Sequence, residues 1–405
     1  MAQKSITRKQ AQEVISALEK CKGSKSEAAF LLGIPRTTFI NRLSAAQRLG
    51  VVQKAEPLVD ESVELKDKIR NLEAQIAAHR RETLDDKYVR EKIIGLSEQS
   101  PVVPEWMLKG KQSQGAPGVP TLFASDWHWG EVVDCDQIGG VNEYDMGIAQ
   151  ERARTMIQST IDLLNNHMVN PEYPGIVFAL GGDMVSGDIH EELSATNEAE
   201  MMPTVLDLWG VLVWCIETLA DRFGRVFVPC VTGNHGRNTK KMRMKGRNYT
   251  SFDWLLYSFL EKRFEHDQRV QFMVPAGPDA HYTIYGHRYL LTHGDQFRGG
   301  DALIGALGPI VRGDHRKRSR NMQIGMSYDT IVMGHWHQLM QTQRFIVNGS
   351  LKGYDEYAYA NNFPFEHPRQ ALWITHPNRG ITFHMPVQVE KHQRKEDREW
   401  VKWAA

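Results

Sequence analysis

Five short apolar runs in the middle and the carboxyl-terminal part of the chain each end in a glycine-rich turn. The runs occupy residues 121–124, 176–180, 226–231, 289–291 and 331–333. Their length, and the turns that bound them, predict buried β-strands. Two long segments between them, at about 146–167 and 203–223, carry apolar residues that predict helices packed on a sheet. This alternation of strands and helices predicts a mixed α/β fold.

The turns after the five runs carry side chains that bind metal ions. In chain order they are Asp126-Trp127-His128, Gly181-Gly182-Asp183, Gly233-Asn234-His235-Gly236, Thr292-His293-Gly294-Asp295 and Gly334-His335-Trp336-His337. Alternation along an extended chain would direct Asp126 and His128 to the same side. Mixed carboxylate, amide and imidazole groups ligate Mn, Fe, Zn, Co or Ni. One histidine pair alone could be an ordinary surface pair, but five such strand ends indicate a metal site at one edge of a sheet.

This series of motifs resembles the calcineurin-like metallophosphoesterases over residues 119–386. The resemblance implies a four-layer α-β-β-α sandwich that hydrolyses phosphoesters with two divalent metal ions. It implies one metal held by Asp126, His128, Asp183 and His337, and a second held by Asp183 as the bridge, Asn234, His293 and His335. We favour Mn²⁺, while Fe, Zn, Co, Ni or Mg also suit these ligands.

The chemistry of such a centre explains why the resemblance assigns these residue types. A bridging carboxylate lets two cations lie about 4 Å apart, activate a water molecule, and bind the attacking and leaving oxygens of an in-line displacement at phosphorus. By the same resemblance, His235 would be the general acid, because protonation of the leaving alkoxide needs a group with a pKa near neutrality.

The chain departs from the family pattern at two places. Many members carry an acid directly after the Gly-Asn-His motif, where this chain has Gly236, so any role of that acid in orienting His235 is lost or moved. Many also carry a second acid shortly after Gly-Asp, where residues 184–187 intervene before Asp188. The metal ligands themselves are intact.

Residues 1–55 predict three short helices. Apolar spacing places the first at about 7–21, and a capping box from Ser24 to Glu27 opens the second. Gly33 allows a tight turn, and Pro35 suits the first turn of the third helix. The apolar side chains of that helix expected to face inward are Phe39, Ile40 and Leu43. This pattern resembles the Fis-type helix-turn-helix, and a small helical docking or dimerisation module is the alternative.

Charge favours DNA as the partner of this segment. The whole chain is balanced, with 49 basic and 49 acidic residues, but residues 1–55 carry ten basic and three acidic ones. A basic module in a balanced chain is expected for phosphate contact. The side chains of the third helix predicted to contact DNA are Arg36, Thr37, Thr38, Asn41 and Arg42.

The segments that follow predict oligomerisation and then a linker. Residues 56–83 carry an apolar seam at alternating spacings of three and four, which predicts a coiled coil, with a single amphipathic helix as the alternative. A homodimer or higher oligomer through the N-terminal helices would follow. Residues 84–118 predict a helical piece and a flexible linker, and residues 387–405 a charged tail.

Two basic segments near the predicted site follow the Gly-Asn-His motif and precede the last strand. They are interpreted either as solvated loops or as a positive rim that attracts a polyanion. The candidate substrate-binding residues are Arg237, Lys240, Lys241, Arg243, Arg316 and Arg318.

Four separated cysteines and the lack of an apolar leader or an 18-residue apolar run predict a cytoplasmic protein without a membrane span. The leading hypothesis is a DNA-directed phosphodiesterase, a nuclease suited to DNA repair or to phage or mobile-element DNA. One alternative is a phosphatase or phosphodiesterase acting on a phosphoprotein or nucleotide, with the N-terminal module used for assembly. The other is a DNA-binding regulator with an inactive phosphoesterase fold.

Overall fold

The computed structural model describes residues 6–50, 103–108, 118–169, 171–189, 191–299 and 305–390. The chain divides into two compact units, Met1–Lys92 and Ile93–Ala405. The coiled coil predicted at 56–83 lies outside the described residues. So do most of the helical piece and linker predicted at 84–118 and all of the tail beyond residue 390.

Three helices form the described part of the first unit: α1 (Arg8–Lys20), α2 (Lys25–Leu31) and α3 (Arg36–Arg48). Thr7 and Gln10 form a reciprocal capping box at the start of α1. At the start of α2, the hydroxyl of Ser24 accepts a hydrogen bond from the backbone N–H of Glu27 at 3.5 Å. Satisfied backbone donors therefore fix where α1 and α2 begin.

A small apolar core holds these three helices together. Phe39 is fully buried, and Leu43, one turn later on the same face of α3, is also buried. Ile40 is 37 % exposed, so the prediction that it faces inward is wrong. The reason is geometric, because a residue one position after Phe39 is turned about 100° away around the helix.

The second unit is built on two β-sheets. Its strands are β1 (Val119–Ala124), β2 (Ile176–Leu180), β3 (Val226–Pro229), β4 (Val270–Met273), β5 (Asp279–Ile284), β6 (His287–Thr292), β7 (Thr330–Met333), β8 (Met340–Gln341), β9 (Phe345–Val347), β10 (Arg369–His376) and β11 (Gly380–Gln388). One sheet has the order β11-β10-β1-β2-β3-β4 and the other β5-β6-β7-β9-β8. Strands β1 to β4 are parallel, as are β6, β7 and β9.

Helices connect and cover these sheets. They are α4 (Glu105–Leu108), α5 (Met146–Asn166), α6 (Glu191–Thr196), α7 (Met201–Phe223), α8 (Phe252–Arg263), α9 (Leu307–Gln323) and α10 (Glu356–Ala360), with 3-10 turns at Cys135–Ile138 and Asn248–Thr250. Helix α9 contains the second basic segment, for which a solvated loop was one of the two interpretations.

Three apolar cores separate four layers. Alternate residues of β1 show the arrangement: Leu122 packs against α5 and α7, whereas Phe123 packs into a core shared with the second sheet. A third core lies between the second sheet and α9, around Ile310. The predicted α-β-β-α sandwich is therefore confirmed.

Helix α7 is the one helix among the described residues that is long and apolar enough to cross a membrane, judged by length and composition. One side of α7 is buried in the core beside the first sheet, through residues such as Leu208, Leu212 and Ile216. This packing is that of a core helix in a folded domain.

Candidate metal centre

The polar turns of both sheets converge on one place. Parallel strands of a sheet end at the same edge, so β1, β2 and β3 deliver Asp126, Asp183 and Asn234 together. The second sheet contributes residues after β6 and β7, namely His293, His335 and His337. The site therefore uses the strand ends of two sheets, where the sequence predicted the edge of one.

One group of ligand atoms comprises Asp126, His128 and His337. The Nε2 atoms of His128 and His337 lie 3.1 Å apart, and the His337 Nε2 lies 3.4 Å from an oxygen of Asp126. Two imidazole nitrogens and a carboxylate that face one another inside a protein suit a shared divalent cation. This donor set therefore fits a metal ion.

A second group comprises Asp183, His293 and His335, and Asn234 joins it. The Nε2 of His293 lies 2.9 Å from the Asp183 carboxylate and 3.2 Å from the amide oxygen of Asn234. The Nδ1 of His293 lies 2.9 Å from the backbone oxygen of Gly181, which can only accept, so Nδ1 carries a proton. Nε2 faces the Asp183 carboxylate, whose charge overcomes burial and raises the pKa of His293 to about 10, so a metal bound at Nε2 would replace a proton there.

The carboxylate of Asp183 lies within two groups of possible ligand atoms. It groups with His293 and His335 on one side and with His128 and His235 on the other. All seven residues expected to be ligands lie together, with Asp183 in the position that a bridging ligand would occupy.

The backbone at the ligands is unusual. Eight non-glycine residues of the described chain have positive φ, and five of them are expected ligands: Asp126, His128, Asp183, His335 and His337. A left-handed conformation costs about 1–3 kcal/mol at a non-glycine residue and is found where function demands it. Asp126 and His128 thus face one centre because the chain turns at both, and the expectation that they do so by alternating along a strand is wrong.

Two glycines of the motifs are required by close packing. A Cβ at Gly233 would lie 2.0 Å from an oxygen of Asp183, and a Cβ at Gly334 would lie 2.2 Å from an oxygen of Asp126. Any side chain at either position would displace an expected ligand. The glycines therefore let the backbone approach the carboxylates.

A buried charged chain orients His128. The Nδ1 of His128 lies 3.2 Å from Glu131, whose other oxygen accepts a hydrogen bond from Lys352 at 2.7 Å. Lys352 also pairs with Asp355 at 2.5 Å. Burial and the Lys352 charge lower the pKa of His128 to about 4. At neutral pH the imidazole is therefore neutral, and its Nε2 is available to a metal.

His235 is held by a different contact. Its Nδ1 lies 2.8 Å from the backbone oxygen of Ser186, and its ring packs edge-on against His128 with the ring centroids 4.5 Å apart. Burial lowers the pKa of His235. Because the Ser186 oxygen can only accept, Nδ1 carries a proton and Nε2 is the atom left to exchange one with a substrate.

Asp253 occupies the space beside Gly236, where many family members have an acid. A Cβ at Gly236 would lie 3.0 Å from the Asp253 carboxylate. That carboxylate accepts hydrogen bonds from the backbone N–H groups of Asp183, Met184 and Gly233 at 2.9–3.2 Å. Burial, together with the Asp183 charge, raises the pKa of Asp253 to about 6. Asp253 therefore ties the second and third motifs together.

Sequence reasoning missed a sixth polar strand end. Strand β9 is followed by Asn348-Gly349-Ser350, which repeats the pattern of an apolar run and a polar turn. The amide nitrogen of Asn348 donates to the hydroxyl of Ser125 at 3.0 Å, and the hydroxyl of Ser350 donates to the backbone oxygen of Asp126 at 2.8 Å. These contacts support the Asp126 turn. No comparable sequence pattern marks Glu131, Lys352 or Asp253 as part of the site.

The six residues expected to bind substrate differ in their hydrogen-bond partners and in their exposure. Arg237 donates to the backbone oxygens of Asn234 and Thr239 and so braces the turn that carries His235. Arg318 donates to the backbone oxygen of Tyr328 and to Asp314, and its guanidinium lies over the Tyr328 ring. The exposed members are Lys240, Lys241, Arg243 and Arg316.

The residues expected to contact DNA all lie on α3. Arg36, Thr37 and Asn41 are exposed, whereas Thr38 and Arg42 are partly buried. They begin at the first turn of the helix, which is the part of a recognition helix that meets base edges.

Glu131→Gln should weaken metal binding about 10–100-fold, because the variant removes the charge that holds the His128 imidazole in place. Titration of the metal-free protein with Mn²⁺ against a competing chelator measures this. Glu143→Gln, at an exposed position of the same unit, should bind as the parent does. Equal affinities in all three proteins would contradict an orienting role for Glu131.

Comparisons with known proteins bear on each unit separately. Residues 10–45 match the family described as "Bacterial regulatory protein, Fis family". A comparison with curated protein sequences finds no match.

Several solved structures align with the chain at low similarity. Vps29 complexed with Zn²⁺ from Entamoeba histolytica is 13 % identical, with a TM-score of 0.28, over 66 % of this chain and 99 % of that one. A predicted phosphoesterase from Streptococcus pneumoniae is 10 % identical, with a TM-score of 0.24, over 63 % and 81 % of the two chains. A putative 5'-nucleotidase from Staphylococcus aureus is 10 % identical, with a TM-score of 0.29, over 69 % and 56 %.

Structural alignments with TM-scores of 0.24–0.29 do not by themselves establish a common fold. The architecture of the second unit is carried by its own strand order, its four layers and the polar strand ends that converge between the sheets. The chain therefore joins a helix-turn-helix segment that matches the Fis family, at residues 10–45, to an α/β unit of two sheets with a cluster of possible metal ligands.

Proposed function

We propose that the chain is a metal-dependent phosphodiesterase that hydrolyses DNA. The convergence of Asp126, Asp183 and the surrounding histidines at one buried centre carries this proposal. A Fis-type helix-turn-helix on the same chain supports DNA as the substrate.

The residues of the centre would have two roles in hydrolysis, metal binding and proton donation. Asp126, His128, Asp183 and His337 would hold one divalent cation, and Asp183, Asn234, His293 and His335 a second, with Mn²⁺ as the favoured ion. Two such cations supply a nucleophile at neutral pH and neutralise charge that develops at phosphorus. His235 would deliver a proton from Nε2 to the departing alkoxide as an imidazolium, since its Nδ1 proton is already donated to the backbone oxygen of Ser186.

The N-terminal unit would deliver this activity to duplex DNA. The net positive charge of residues 1–55 supplies phosphate attraction, and Arg36 and Asn41 are exposed on α3 to reach bases. A single helix in one groove gives little affinity, so we propose a homodimer or higher oligomer. A cytoplasmic protein of DNA repair or of phage DNA metabolism would fit this combination.

A substrate panel tests the proposal. The full chain, loaded in turn with Mn²⁺, Fe²⁺, Zn²⁺, Co²⁺, Ni²⁺ or Mg²⁺, is given duplex DNA, single-stranded DNA, RNA, bis-p-nitrophenyl phosphate and p-nitrophenyl phosphate. We expect turnover of DNA and of the diester. Turnover of the monoester without cleavage of any nucleic acid would favour a phosphatase, and no turnover with any ion would favour a DNA-binding regulator.

His235→Ala should bind both metals and lose about 10²–10⁴-fold in kcat, because the variant lacks the proton donor for the leaving group. Metal analysis of the purified protein and kcat on DNA measure the two effects. His266→Ala removes an exposed histidine of the same unit and should behave as the parent. A His235→Ala variant with parental kcat would contradict the assignment of the general acid.

Arg36→Ala and Arg42→Ala should each weaken duplex binding and lower the slope of log affinity against log salt by about 1, because each removes a phosphate or base contact. Gel shifts at several salt concentrations measure the slope. Hydrolysis of bis-p-nitrophenyl phosphate should be unchanged. Lys20→Ala, at the exposed end of α1, is the matched control, and equal slopes in every variant would contradict DNA recognition by α3.

A further inference from the structure

A second basic feature of the α/β unit lies outside the metal ligands. A cavity of about 270 Å³ opens between α9 and the chain that follows β6. Among the residues that the structure describes, its lining includes five basic residues and no acidic one; the basic residues are Arg298, Arg312, Arg316, Lys317 and Arg320. A volume near the lower end of small-molecule sites suits one phosphate with part of its nucleoside.

Three of these arginines form a row along one helix. Arg312, Arg316 and Arg320 follow one another at four-residue spacing on α9, so they lie on the same face. Like charges at this spacing repel each other and destabilise a helix. A bound anion would offset that repulsion.

Described carboxylates pair with only part of the basic lining of the cavity. Lys317 and Arg320 share Asp279, at 2.6 and 3.3 Å. Within the part of the chain that the structure describes, neither Arg298 nor Arg316 pairs with a carboxylate. The two side chains are exposed, and both line the cavity. They are the groups best placed to bind an anion.

The floor of the cavity is closely packed. The Phe297 ring is 7 % exposed and packs so closely on α9 that a Cβ at Gly313 would lie 2.4 Å from it. The Lys317 ammonium lies 5.9 Å from the centroid of the same ring. The basic groups therefore surround a closely packed apolar floor.

The cavity lies close to the metal centre. Arg298 is five residues after His293, so their Cα atoms can be at most about 18 Å apart. Both follow the carboxyl end of β6. A nucleic-acid strand with one phosphate at the metal ligands could reach this cavity with another.

We propose that the cavity binds a backbone phosphate of the nucleic-acid strand, a few nucleotides from the bond that is cleaved. Arg298 and Arg316 would donate to its non-bridging oxygens. This inference rests on the proposed function and names a binding site for the substrate beyond the metal centre. Arg318, grouped with Arg316 in the sequence, is not part of it, because its guanidinium is taken up by Tyr328 and Asp314.

The double variant Arg298→Gln with Arg316→Gln tests the site in the full chain. Single-stranded substrates are used because the helix-turn-helix reads duplex DNA. For an oligonucleotide of about twelve nucleotides, KM should rise roughly tenfold at low salt and less at high salt. KM for a dinucleotide and for bis-p-nitrophenyl phosphate should stay within about twofold, since neither reaches the cavity.

A matched control removes two charges elsewhere. Arg222→Gln with Arg379→Gln changes two exposed arginines of the same unit and should leave KM for the long oligonucleotide unchanged. An equal rise in both double variants would show attraction by bulk charge only and would overturn the inference. An unchanged KM in the Arg298→Gln, Arg316→Gln protein would overturn it as well.

A binding measurement separates this inference from the proposed function. If no nucleic acid is cleaved while bis-p-nitrophenyl phosphate is, the proposed function fails. Inhibition of that small-ester reaction by a phosphorothioate oligonucleotide still probes the cavity, and we expect its inhibition constant to rise about tenfold in the double variant. An unchanged constant overturns the inference. Tripolyphosphate that inhibits the parent as strongly as the oligonucleotide would also overturn it, in favour of a free phosphate chain.

Discussion

The contact between Asp183 and His293 joins the two sheets of the α/β unit at the candidate metal centre. Asp183 follows β2 of the first sheet and His293 follows β6 of the second, and their facing atoms are 2.9 Å apart. The core between the sheets sets how closely these strand ends approach. The register of each sheet therefore determines whether a centre exists, since a shift of one residue would turn a ligand away.

Much of this arrangement can be predicted from the sequence. Strands buried on both faces appear as continuous apolar runs, so β1, β2 and β7 could be placed to within two residues. The resemblance to the calcineurin-like metallophosphoesterases implied the seven expected ligands, and each of them lies in the polar turn that follows an apolar run. The helix-turn-helix could be recognised because small helices need caps, glycine turns and apolar spacing, all of which are local.

Other features could not be predicted, for physical reasons. The sequence does not predict helix α9, because the buried residues of this helix include Asp314, Lys317 and Asn321, which give no apolar periodicity. The pair of Glu131 and Lys352 joins positions 221 apart, and only the folded chain brings them together. Ile40 was assigned to the buried face because Phe39, Ile40 and Leu43 are all apolar, and the sequence does not show which two of them pack in the core.

The left-handed residues at the centre have a consequence for the stability of the protein. Five expected ligands hold an unfavourable backbone, and two imidazole nitrogens face each other at 3.1 Å. A ligand that binds only the folded chain stabilises it by an amount that grows with the logarithm of its concentration over its dissociation constant. If divalent ions bind there, the melting temperature should follow the supply of these ions, and a cell short of them would hold less of the folded protein.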